Sequence, residues 1–160
     1  MWALKTLALT TFLLLFSFMF SGCGFSTNTK RGLEIQNSDI IESGSLQDFM
    51  VNVGNRIFFD LDSSFIRPDA QVTLERQAHW LNRYSEYMVT IEGHADERGT
   101  REYNLALGQR RAVAARDFLI SQGVLQHRMK TVSYGKERPI AICDNLFCWS
   151  QNRRAMIIVK

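Results

Sequence analysis

Three polar side chains, Asp96, Asn104 and Arg111, sit where a ligand could be held. Asp96 lies in a charged loop, Gly93-His94-Ala95-Asp96-Glu97-Arg98-Gly99-Thr100, bounded by two glycines. Glycine tolerates positive φ, so such a loop folds back tightly and brings backbone N–H groups close to a ligand. Beyond it, Leu107, Ala115 and Phe118 recur at the spacing of one helix face. Asn104 and Arg111 fall on the same line. A face that starts with an amide and a guanidinium and turns apolar later borders a cleft first and packs afterwards. Asn104 to Arg111 spans about 10 Å of helix axis at 1.5 Å per residue. A carboxylate and a planar cation in one pocket suit a ligand with both an ammonium and a carboxylate. The same residues also have a plain structural reading. Arg111 covers apolar surface with its stem, and Asp96 is a turn residue.

The elements that must position these groups follow from periodicity. Met88 to Glu92 alternates as a half-buried strand and feeds the loop. Thr100 is placed to N-cap a helix from Arg101 to Gln122, with Gly123 as its C′ residue. Tyr103 stands where a capping box would need Glu or Gln. Upstream, Asn55 to Asp60 reads as a first strand. Pro68 opens a helix in which Leu74, Ala78, Leu81 and Tyr84 recur. His127 to Tyr134 reads as a third strand. Ile140 to Ser150 reads as a loop with room for one helical turn. Arg154 to Val159 is almost wholly apolar after its first residue, which predicts a buried central strand. The order β-α-β-α-β-(α)-β predicts an α/β fold, a sheet with helices on it.

These motifs and their separations resemble the OmpA-like peptidoglycan-binding domain family, in particular its lipoprotein branch. The likeness runs from about Arg56 to the C-terminus. It rests on Phe58-Phe59-Asp60-Leu61-Asp62, the Gly93–Thr100 loop, Tyr103-Asn104, Leu107-Gly108, Arg111-Ala112, Ser133-Tyr134-Gly135-Lys136-Glu137-Arg138-Pro139 and Asn152-Arg153-Arg154-Ala155. The resemblance implies a mixed sheet with the helices packed on one face, and a non-catalytic binding module. The family ligand is meso-diaminopimelate of the peptidoglycan stem peptide. By the resemblance, Asp96 meets its ammonium and Arg111 its carboxylate. Asn104, Arg98, Gly99 and Thr100 supply hydrogen bonds, Leu107 apolar contact, and Leu61 and Asp62 a border. Arg154 braces Asp96 or its loop. Relatives also bind the β-propeller protein TolB of the Tol system, so a protein-interaction module is the alternative reading.

The N-terminal third speaks to location. Leu7 to Phe20 is apolar apart from Thr10, Thr11 and Ser17, and Lys5 is the charge before it. That run is short for a membrane span and fits a secretory signal peptide. It ends in Phe20-Ser21-Gly22-Cys23, which resembles a bacterial lipobox, with Phe20 where Leu is usual. The expectation is cleavage of residues 1–22 and lipidation of Cys23. An uncleaved anchor is the alternative. Gly24, where Asp would favour inner-membrane retention in relatives, fits an outer-membrane lipoprotein whose domain faces the periplasm. Residues 23–52 are polar and read as a flexible tether, leaving 53–160 as the domain.

Cys143 and Cys148 remain, and in an oxidising compartment they are expected to form a disulfide. Half a zinc site is the competing reading. However, His79, His94 and His127 lack suitable spacing for the second pair of ligands. His94 reads as a structural histidine at a strand end. No metal or cofactor is expected. The sequence carries no Gly-x-Ser-x-Gly elbow, no His-Glu-x-x-His helix and no phosphate-binding glycine loop. Adjacent Asp96 and Glu97 rarely present both carboxylates to one glycosidic bond. A formal charge of +3, scattered among acidic residues, argues against a nucleic-acid partner.

Overall fold

The structure is a computed structural model and describes residues 41–160. The signal-peptide, lipidation and early tether expectations fall outside those residues. These residues form one compact unit. It opens with α1 (Leu46–Asp48), which continues as a π-helical turn, Phe49–Val53. Then follow β1 (Arg56–Phe58), α2 (Pro68–Arg83), β2 (Val89–His94) and α3 (Arg101–Ser121). A 3-10 turn, Gln126–Arg128, leads into β3 (Met129–Gly135), α4 (Leu146–Asn152) and β4 (Arg154–Val159).

The four strands lie in the order β1-β4-β2-β3. β2 and β3 are parallel, and β4 is antiparallel to both its neighbours, so the sheet is mixed. Strand alternation sends Ile57, Val89, Ile91, Ala155 and Ile157 to one face. There they meet Leu74, Ala78 and Leu81 of α2 and Ala112, Ala115 and Leu119 of α3 in one core. β4 is central, as its apolar run predicts, but it is not buried on both faces. Met156 and Ile158 point to the other side and stay partly exposed.

Two local features differ from the sequence reading. The domain begins before residue 53. Phe49 is 1% exposed within the core, and Trp80 donates its indole N–H to Asp48 Oδ2 at 2.8 Å. Residues 46–52, expected to belong to the tether, therefore fold with the domain. The loop at 140–150 carries two turns of helix. Asn145 caps α4 by accepting from the N–H groups of Phe147 and Cys148. Cys143 and Cys148 are joined in a disulfide with Cα atoms 5.6 Å apart.

Gly93 and Gly108 set the distance between sheet and helix. A Cβ on Gly93 would lie 1.8 Å from the Gly108 carbonyl oxygen, and one on Gly108 would lie 2.4 Å from Ser133 Oγ. The backbones of β2 and α3 thus touch, and the N-terminal turns of α3 are drawn over the end of the sheet. Gly93 is therefore needed for close approach within β2. Gly99, at φ +86°, is the loop glycine that uses the left-handed region.

Candidate ligand-binding site

At that end of the sheet lies a pocket of ≈ 330 Å³. The β1–α2 loop contributes Leu61 and Asp62, the β2–α3 loop contributes Asp96, Arg98 and Gly99, and α3 contributes Tyr103, Asn104, Leu107 and Arg111. Arg153, between α4 and β4, completes it. Of the residues singled out in the sequence, Asp96, Arg98, Gly99, Asn104, Leu107, Arg111, Leu61 and Asp62 line this one pocket. Thr100 is exposed and does not line the pocket. Its side chain accepts from the Tyr103 N–H at 3.3 Å and caps α3.

Arg154 is not in the pocket. It lies on the face of the sheet away from α2 and α3, 2% exposed, and its Nη2 donates to the Arg138 carbonyl at 3.1 Å. The residue that braces Asp96 is its neighbour. Arg153 Nη1 donates to Asp96 Oδ2 at 3.3 Å, and Arg153 Nε donates to the Phe59 carbonyl at 3.1 Å. Adjacent residues entering a strand point in opposite directions. The Asn-Arg-Arg motif locates the pair, but not which member turns inward.

Asp96 is 6% exposed and accepts four hydrogen bonds from within the domain. Oδ1 accepts from the Arg98 backbone N–H and from Arg98 Nε, both at 3.2 Å. Oδ2 accepts from Arg98 Nη2 at 2.7 Å as well as from Arg153. Burial alone would push this carboxyl up. The bonds from Arg98 and Arg153 outweigh it and hold Asp96 below the ordinary carboxylate range. It is therefore an anion at neutral pH.

Arg111 lies deeper than the sequence reading placed it. It is fully buried, and three of its N–H groups are spent on carbonyls. Nε donates to Ser63 at 2.8 Å, Nη1 to His94 at 2.7 Å and Nη2 to Asp60 at 3.0 Å. It thereby ties the β1–α2 loop and the end of β2 to α3. A guanidinium has five N–H donors, so one on each terminal nitrogen is left over. Burial, and then the nearby Arg153 charge, push its pKa down to about 10. It stays cationic at neutral pH, and among the described residues it has no ion-pair partner. The pocket floor thus holds a buried positive charge met by carbonyl hydrogen bonds and by the Phe59 ring, whose centroid lies 5.1 Å from the guanidinium carbon.

The rim is fastened from several sides. Tyr103 donates its hydroxyl to Asp62, which sits in the left-handed region at φ 55°. Asn104 is 2% exposed and donates Nδ2 to the Arg98 carbonyl at 2.7 Å, fixing the loop that carries Asp96. Lys136 Nζ donates to the carbonyls of Glu97 at 3.0 Å and Gly99 at 2.7 Å. Tyr103 is in the motif that carries the family resemblance, but its rim position depends on Asp62, forty-one residues upstream.

His94 closes β2 behind the pocket. It is 2% exposed, it stacks on Tyr134 with ring centroids 5.6 Å apart, and neither ring nitrogen has a partner. Burial, then the charges of Arg154 and Arg138, push its pKa down to about 4. Glu92 Oε2 lies 3.8 Å from Nε2 and does not offset them. His94 is neutral and structural at pH 7.

The fold and this pocket define a class. Residues 58–147 match the OmpA family, and the chain belongs to it. Within that family it is similar to proteins named peptidoglycan-associated lipoprotein. The one from Mesorhizobium japonicum is 62% identical over 138 residues, spanning 85% of this chain and 82% of the relative. The one from Brucella melitensis is 71% identical over 117 residues, spanning 73% of this chain and 70% of the relative. The crystal structure of the Burkholderia pseudomallei peptidoglycan-associated lipoprotein superposes with a TM-score of 0.65 at 42% identity. That match spans 66% of this chain and 90% of the solved one.

Proposed function

We propose that this chain is a non-catalytic outer-membrane lipoprotein that binds peptidoglycan and tethers the outer membrane to the cell wall. The observation that carries the reading is one pocket holding the Asp96 carboxylate and the buried Arg111 guanidinium, which has hydrogen-bonding capacity to spare. A meso-diaminopimelate side chain ends in one carbon bearing both an ammonium and a carboxylate. In this reading the ammonium goes to Asp96 and the carboxylate to Arg111. Asn104, Arg98, Gly99 and Asp62 supply polar contacts, and Leu61 and Leu107 pack against the aliphatic stem. No cofactor or metal takes part. Relatives named for association with peptidoglycan support the assignment.

Lipid on Cys23 would hold the other end of the chain. Two or more acyl chains anchor a protein stably where one does so only marginally. Mass spectrometry of the membrane-extracted protein is the test. Loss of residues 1–22 with an acylated Cys23 is expected, and an intact Met1 with unmodified Cys23 would refute the anchor. The tether would serve the Tol-Pal system in envelope integrity and cell division, with TolB as protein partner. Co-sedimentation with diaminopimelate-type sacculi tests the binding function itself.

The second reading, a module that mainly binds TolB or another envelope protein, is favoured by the apolar rim. Leu61, which lines the pocket, is 60% exposed, and Phe65 of the same β1–α2 loop is 71% exposed. Binding to TolB that survives while sacculus binding is absent would put this reading first.

A further inference from the structure

We infer that Trp149, which does not line the pocket, is a positioning residue for it. The inference rests on the ligand-binding reading above. Arg98 is the main hydrogen-bond partner of Asp96, and its backbone is fixed from inside by Asn104. Its side chain is 35% exposed, however, and a long exposed cation regains much rotamer freedom by swinging into water. Trp149 opposes that from outside. The guanidinium carbon of Arg98 lies 4.2 Å from the centroid of the indole ring. A planar guanidinium gains both stacking and cation–π attraction there.

The indole holds the loop a second time. Its Nε1–H donates to Glu97 Oε1 at 2.7 Å. Two consecutive residues, Glu97 and Arg98, are thus seated on one ring that arrives from α4, fifty-two residues further along the chain. α4 is itself held in place. The disulfide closes on Cys148, next to Trp149, and Asn152 Oδ1 accepts from the N–H groups of Ile140 at 2.9 Å and Ala141 at 3.2 Å. The path from the disulfide-closed segment to Asp96 therefore runs through Trp149 and Arg98. With Arg98 pinned, the plane of the Asp96 carboxylate is set before a ligand arrives, and no ordering is left for the binding step.

The test compares the detergent-solubilised full chain with Trp149→Ala, Trp149→Phe and Asp96→Ala. The probe is a stem tripeptide ending in meso-diaminopimelate. Trp149→Ala should weaken binding about tenfold, the loss of one stacked cation contact with its preorganisation. Trp149→Phe keeps a ring face but has no N–H donor, and should weaken it about threefold. A second readout needs no ligand. The Arg98 Nε–H resonance in 15N-labelled protein should move toward that of free arginine in Trp149→Ala and part of the way in Trp149→Phe. Core amide resonances should stay in place. If Trp149→Ala does not fold, the Phe variant decides by the same two readouts. Folded variants that bind as well as or better than the parent, while Asp96→Ala loses binding, overturn the positioning role alone. Parent-like binding by Asp96→Ala overturns the pocket reading, and this inference with it.

Discussion

Arg153 bonds to Asp96 Oδ2 across 3.3 Å, while Arg154, one residue later, lies on the opposite side of the sheet. The two adjacent arginines should therefore separate in experiment. Arg153→Ala removes a partner of the pocket carboxylate and should lower sacculus binding. Arg154→Ala should leave binding near that of the parent and lower the melting temperature, because a buried group bonded to the Arg138 carbonyl is lost. Parallel thermal melts and sacculus co-sedimentation would show the split. Equal effects on both readouts would refute it.

Asp96→Ala should abolish sacculus binding. Truncating one partner of a buried charge pair costs about 2–5 kcal/mol, which is roughly 25- to 30-fold in affinity at the low end. Arg101→Ala is the control, since Arg101 is exposed and pairs with Glu137 outside the pocket. Circular dichroism confirms folding of each variant.

Arg111→Ala should lose stability as well as binding. Three carbonyls lose their donor, and each buried group left unpaired costs about 1–3 kcal/mol. Arg111→Lys keeps the charge but cannot span Ser63, His94 and Asp60 from one planar fork. It should melt below the parent and still bind poorly. Chemical denaturation alongside binding checks this. A lysine variant with parental stability would mean the three bonds contribute little.

His94 predicts an acid-side loss of stability. The folded-state value of about 4 lies below the ordinary 6.5, so the unfolded chain takes a proton that the folded chain refuses. The contribution is complete above pH 6.5 and is lost as pH falls from there through 4, by roughly 3 kcal/mol. Asp96, with a lowered carboxyl, adds its own loss only at more acid pH. Urea midpoints from pH 7 to 4 should fall for the parent, and the slope should flatten in His94→Asn. An unchanged slope would assign the acid sensitivity elsewhere.

Reduction of Cys143–Cys148 should loosen residues 140–150 without unfolding the domain, because the main core contains neither cysteine. For so short a loop the stabilisation should sit at the low end of about 2–4 kcal/mol. Hydrogen exchange of the oxidised and reduced protein would localise the change. Global exchange would show that the loop supports the core.

Much of this molecule is local, and local order is written in the sequence. Strand alternation, the Pro68 start, the Thr100 cap and the Gly123 stop each depend on a few adjacent residues, and the elements appear within a few residues of where those signals put them. Asn104 and Arg111 on an otherwise apolar helix face likewise pointed to the pocket, because helical periodicity ties spacing to direction. What only the tertiary structure decided depends on contacts between distant segments. Arg153 rather than Arg154 faces Asp96 because a single residue, Arg153, separates the end of α4 from the start of β4. Arg111 is buried because Gly93 and Gly108 let α3 approach β2 until the guanidinium reaches three carbonyls. Phe49 joins the core because Trp80 and Asp48 draw the preceding segment in. Trp149 reaches Glu97 across fifty-two positions and Arg98 beside it, a distance over which no periodicity carries information.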